Sequence, residues 1–118
     1  MLNWPCFIEI LVYLYMIILR IKKANFDKIV SGEKKSEWRQ YSKYNIELLF
    51  TDRGDGKKDG NPEIKEIKFI NGYSKDSPEI IKEIEFIRLC KFSKDTIIES
   101  DNFKALEGQF AIQIKFKD

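Results

Sequence analysis

At 118 residues, with 43% apolar and 34% charged side chains, the chain has the length and balance of one globular domain and no compositional case for wholesale disorder. It has no histidine and two cysteines, which excludes a four-ligand Cys/His zinc site and every Ser-His or Cys-His nucleophile pair. Any general base must be a lysine, a carboxylate or a tyrosine, and Cys6 and Cys90 are expected to pack in a reducing cytosol rather than form a disulfide framework.

The N-terminal stretch from Asn3 to Tyr15 is largely apolar, interrupted by Glu9, and runs on into Met16 to Leu19. Its longest apolar run falls short of the roughly 20 residues of a membrane span. No basic residue precedes it and no small-residue cleavage site follows. We expect residues 1–15 to be a hydrophobic extension upstream of a domain that starts at Met16 and spans 16–118, with the protein cytoplasmic. A signal anchor held by Arg20, Lys22 and Lys23 is the alternative.

Residues 17–22 are rich in β-branched side chains and predict a strand. Ala24 to Val30 places Phe26, Ile29 and Val30 on one side of two helical turns, and Ser31-Gly32 supplies the stop. A second strand is expected from Lys35 to Gln40. Tyr41 to Phe50 is ambiguous, since Tyr44, Leu48 and Leu49 have helical spacing whereas Ile46, Leu48 and Phe50 alternate. Asp52 to Pro62 has three glycines, one proline and no apolar residue, and predicts a mobile loop.

Ile64 to Ile70 reads as a strand that ends at the turn signal Asn71-Gly72. Ile80 to Phe92 is a long strand with apolar residues in both phases, as expected of a central strand with two covered faces. Ser93 to Gly108 reads as a polar connection. Phe110, Ile112, Ile114 and Phe116 alternate cleanly as a last strand. Together these elements predict an α+β domain: a small curled sheet or β-barrel with one or two short helices.

The net charge of +2 is uninformative, but its distribution is not. From Arg20 to Lys43, eight basic residues face Asp27, Glu33 and Glu37, a net of +5, while the chain after Lys43 is slightly acidic. A basic block beside a neutral remainder fits a phosphate-bearing partner, although a solvated lysine-rich face would look the same. Within that block stands Gly32-x-Lys34-x-x-Glu37-x-Arg39. On a regular strand Lys35, Glu37 and Arg39 share one face and Lys34, Ser36 and Trp38 the other, but Lys34 lies in the turn and can approach Glu37. Arg39 offers a planar fork to a phosphate or base edge, Lys34 a movable donor and Glu37 an acceptor. The plain alternative is an internal ion pair. Trp38, Tyr41, Tyr44 and Tyr73 are candidate base-stacking rings, with Trp38 more at home in a core.

This arrangement resembles the ASCH domain, a small PUA-like β-barrel family. Gly32, Lys34, Glu37 and Arg39 carry the resemblance, with Asn71-Gly72-Tyr73 as a cleft-side turn, and it covers Met16 to about Lys117. It implies binding of RNA or a modified nucleoside or nucleotide, with Lys34, Glu37, Arg39, Tyr41, Asn71 and Tyr73 as the ligand-binding set and no cofactor or metal. One branch of the family hydrolyses N(4)-acetylcytidine with a lysine, a threonine and a glutamate. By that resemblance Lys34 and Glu37 are the catalytic candidates. Lys34 matches the lysine, Glu37 stands where the threonine would be, and Glu99, Asp101 and Glu107 are the candidates for a carboxylate acid, with nothing in the sequence to choose among them. A protein-interaction or accessory module is the third reading.

Overall fold

The computed structural model describes residues 16–118; the expected N-terminal extension, residues 1–15, lies outside the described residues. In chain order the elements are β1 (Ile17–Arg20), α1 (Lys23–Ser31), β2 (Ser36–Gln40), α2 (Lys43–Leu49), β3 (Phe50–Asp52), β4 (Lys58–Gly60), β5 (Glu66–Ile70), β6 (Glu79–Lys91), β7 (Thr96–Ile98), a turn of 3-10 helix (Glu99–Asp101), β8 (Phe103–Ala105) and β9 (Phe110–Phe116).

Five strands form one mixed sheet in the order β1-β5-β6-β9-β2, with β1 parallel to β5 and the other pairs antiparallel. The sheet curls into a half-barrel, and α1 connects its two edge strands. Its concave side holds Leu19, Ile67, Phe69, Ile84, Ile112, Ile114 and Phe116, closed by Ile29 of α1 and Leu49 of α2. Each large apolar side chain buried there contributes about 1.5–3 kcal/mol. Among the described residues, no helix is long and apolar enough to cross a membrane.

Local chemistry sets the boundaries around the basic block. Gly32 takes φ 82°, and its N–H donates to Ile29 O at 3.2 Å, ending α1 in the left-handed conformation that glycine adopts without a Cβ penalty. Lys34 N–H then donates back to Lys28 O at 3.0 Å, which turns the chain directly into β2. The ambiguous 41–50 stretch is mostly helix. Ser42 Oγ accepts the Asn45 N–H at 3.1 Å as an N-cap, and Leu49 is fully buried.

Three expectations are corrected. Asp52 to Pro62 is not an unstructured loop: its ends pair as the β3–β4 hairpin, with Asp52–Lys58 and Arg53–Asp59 ion pairs across it. Gly60 lies against the β6 backbone, so tightly that a Cβ there would stand 2.2 Å from Ile87 O. Ser93 to Gly108 is likewise not a plain connection but a β7–β8 hairpin carrying the 3-10 turn at its tip. In both, the strands are three residues long, too short to show an alternation that can be read.

The third correction concerns β6. Its apolar residues in both phases reflect a bulge between Ile84 and Phe86 rather than two covered faces. Before the bulge Ile80 and Ile84 face the core. After it the inward phase passes to Ile87, which pairs with the buried Ile114. Ile81 stands on the exposed side.

Candidate functional site

Glu37 and Arg39 pair directly with Ile114 and Ile112 of β9, both fully buried, so their side chains point into the concavity of the sheet. Lys34 enters the same space from the turn after α1. Its Nζ lies 3.0 Å from Glu37 Oε1 and 3.3 Å from Asp101 Oδ1, and it donates to Asp101 O at 3.3 Å. The other oxygen of Glu37 lies 2.8 Å from Arg39 Nη2. Four charges thus alternate in sign along a chain, Arg39, Glu37, Lys34, Asp101. The Lys34 side chain has no exposure at all, whereas that of Arg39 retains 25%.

Asp101 is held in place from α1. Lys28 Nζ donates to Glu99 O at 2.9 Å and to Asn102 Oδ1 at 3.3 Å, and Asn102 Nδ2 donates to Asn25 Oδ1 at 3.1 Å. Asn102 itself takes φ 51°, a left-handed position that asparagine tolerates. Burial raises the Asp101 pKa above the ordinary 3.8, and the negative charge of Glu37 adds to the rise. Attraction and a hydrogen bond from Lys34, and a hydrogen bond from Trp38, only partly offset it.

Above this cluster opens a cleft of about 770 Å³. The end of β1 and start of α1 (Arg20, Ile21, Lys22, Ala24, Asn25) form one wall, and β2 (Glu37, Trp38, Arg39, Gln40) forms the other. Asn45, Asn102, Phe103 and Lys104 complete it. These walls are the two opposite edges of the five-stranded sheet, so the cleft is the seam of an unclosed barrel. Arg20, Lys22, Arg39 and Lys104 supply four cations to the described lining, against the carboxylate of Glu37, which already bridges Lys34 and Arg39. The buried Arg39 Nε and Nη2 atoms have no aligned hydrogen-bond acceptor among the described residues, the 2.8 Å contact to Glu37 being an ion pair without hydrogen-bond geometry.

Of the residues predicted from sequence, Lys34, Glu37 and Arg39 come together, with Lys34 beneath the cleft rather than in its lining. Tyr41 is exposed and lines an adjoining recess, with its ring 5.9 Å from that of Phe110. Asn71 and Tyr73 do not line the cleft. Asn71 Nδ2 donates to Ile21 O at 3.1 Å, and Tyr73, 87% exposed, lies under the Arg20 guanidinium at 5.0 Å. Arg20 also donates to Gly72 O, so the Asn71-Gly72-Tyr73 turn braces a cleft wall from behind. Trp38 stacks on Phe103 at 5.4 Å and 27°.

Phe103 and Lys104 are additions that sequence reasoning missed, Arg20 and Lys22 were read only as members of the basic block and not as site residues, and Asp101 stood undistinguished from Glu99 and Glu107. Nothing in the basic block points to Phe103 and Lys104, because their approach depends on sheet curl and on the β7–β8 hairpin. Among the described residues no group of three or more metal-ligating side chains converges. No protein-family model matches the chain, and neither a curated protein nor a solved structure does.

The arrangement has a clear chemical capacity. A cleft of this volume falls in the range of small-ligand sites. Its cations would hold a phosphate, the Trp38–Phe103 stack offers a π-face, and the partly exposed Arg39 offers a donor to a phosphate or base edge.

Proposed function

We propose that the chain is a PUA-like domain of ASCH type that binds RNA or a modified nucleotide in the seam of its half-barrel, and that it does so in the cytoplasm. The observation that carries this reading is the charge of the cleft: Arg20, Lys22 and Lys104 line it in addition to Arg39, whose charge belongs to the balanced Arg39-Glu37-Lys34-Asp101 chain, so three cations stand in surplus. The quarter of the Arg39 side chain that stays exposed in the cleft supports it further. Lys34 and Asp101 then serve from below, fixing Glu37 and through it the guanidinium of Arg39.

Calorimetric titration with nucleoside monophosphates, including the N(4)-acetylated cytidine form, and with short RNAs tests the proposal. Arg39→Ala should weaken binding by about 1–3 kcal/mol while preserving the fold. Equal affinity in parent and variant, or no binding by the parent, would overturn it.

One observation favours an amidohydrolase as a second reading. Asp101, one of the three candidates for a carboxylate acid, converges with Lys34 to 3.3 Å. Against it, the Lys34 ammonium is enclosed by Glu37 and Asp101 and does not reach the cleft surface. Absence of acetate release from N(4)-acetylcytidine by the parent protein ends this reading and leaves the binding proposal untouched.

A further inference from the structure

The seam cleft does not end at Phe103. A second concavity of about 320 Å³ continues from it, and the two share Gln40, Phe103 and Lys104 in their walls. The far side of the second concavity is made by Tyr41 and Phe110, whose rings lie 5.9 Å apart at 43°. These rings are 58% and 45% exposed, so their faces are not consumed by the core. Phe103, between the two concavities, is held from behind by stacking on Trp38 and by Phe92 at 6.3 Å. Lys104 is exposed at the junction, and Lys91 Nζ stands 5.6 Å from the Phe110 ring at the outer end.

We infer that the groove takes a single strand of nucleic acid at least two nucleotides long, with one base in the seam cleft and the next stacked on Tyr41 and Phe110. Lys104 meets the phosphate between them. This rests on the nucleotide-binding reading of the cleft and extends it to the length and strandedness of the ligand. The alternation of cation, ring and cation along one continuous depression is the pattern that a sugar-phosphate backbone with splayed bases requires. A duplex, with its bases stacked inside, cannot offer a ring face to Tyr41. A mononucleotide leaves the second concavity unfilled.

The test titrates the full chain with the four homopolymeric pentaribonucleotides and the four matching 5′-monophosphates, for the parent, Tyr41→Ala and Phe110→Leu. The pentamer that binds best should exceed its monophosphate by about tenfold or more, and each variant should lose about tenfold for the pentamer with monophosphate affinity unchanged. Phe110→Leu keeps an apolar side chain on β9 while removing the π-face, and unchanged thermal unfolding separates a lost contact from a lost fold. Pentamer and monophosphate binding alike, variants without effect on the pentamer, or a blunt RNA duplex binding as tightly as the single strand would each overturn the inference and leave the cleft proposal standing. Failure of the parent to bind any of these would remove both.

Discussion

At the scale of single residues, the decisive fact is that Lys34 is a fully enclosed cation between two carboxylates. Removing one partner of such a cluster leaves uncompensated charge in a low-dielectric setting. Lys34→Met should therefore destabilise the fold by about 3–5 kcal/mol in urea denaturation, and a loss below about 1 kcal/mol would mean that the ion pairs are solvated. Asp101 makes a separate prediction. Its folded-state pKa is raised above the ordinary 3.8, mainly by burial, so the folded protein holds this proton more tightly than the unfolded chain does. The stability that this group contributes is fully present below the unfolded value and declines as pH rises through the folded one. Measured across that range, the stability of Asp101→Asn relative to the parent should improve as pH climbs from 4 toward neutrality. A constant difference would show that Asp101 ionises as freely as in water. The meeting of Lys34 with Glu37 was legible in the sequence, because three positions and one turn separate them. Its meeting with Asp101 was not, since nothing local marks one of the four carboxylates in residues 93–108 as the one that reaches α1.

At the scale of elements, what could be read was what is local and apolar. The stop at Gly32, the strand from Phe110 to Phe116 and the turn at Asn71-Gly72 each follow from short-range sterics or a two-residue period. The β3–β4 and β7–β8 hairpins escaped because their stabilisation comes from docking, not from pattern. For β3–β4 the dock is Gly60 against Ile87. A methyl group there would fall 2.2 Å from a backbone oxygen of β6, which cannot move without disturbing β9. Gly60→Ala should consequently cost more than the roughly 1–3 kcal/mol typical of an overpacked core position, and amide exchange in residues 50–60 should rise well above that in β9. An unaltered exchange pattern would show that the hairpin stands without this contact. The offset apolar residues of β6 carried a signal of another kind. One extra residue at Glu85 reverses which phase is inward, and the reversal was visible in the sequence as two interleaved half-patterns.

At the scale of the whole molecule, the curl of the sheet rather than any one element creates the cleft, and this was out of reach of a one-dimensional reading. The pairings that build the sheet differ greatly in span. Phe69 meets Ile80 and Leu89 meets Ile112, whereas Ile17 meets Ile67 and Glu37 meets Ile114. The two walls of the cleft are therefore attached by the longest chain closures in the sheet, which cost the most entropy before any contact repays it. A time order of assembly follows: β5, β6 and β9 first, the two edges afterwards. In stopped-flow experiments Leu19→Ala, on β1, should speed unfolding and leave the folding rate near that of the parent, whereas Ile84→Val, on β6, should slow folding. The reverse assignment would show that the edges nucleate the sheet. A chain caught partway along this order would already have most of its β-structure and would still lack any cleft, so the capacity to hold a ligand is acquired only in the last step of folding.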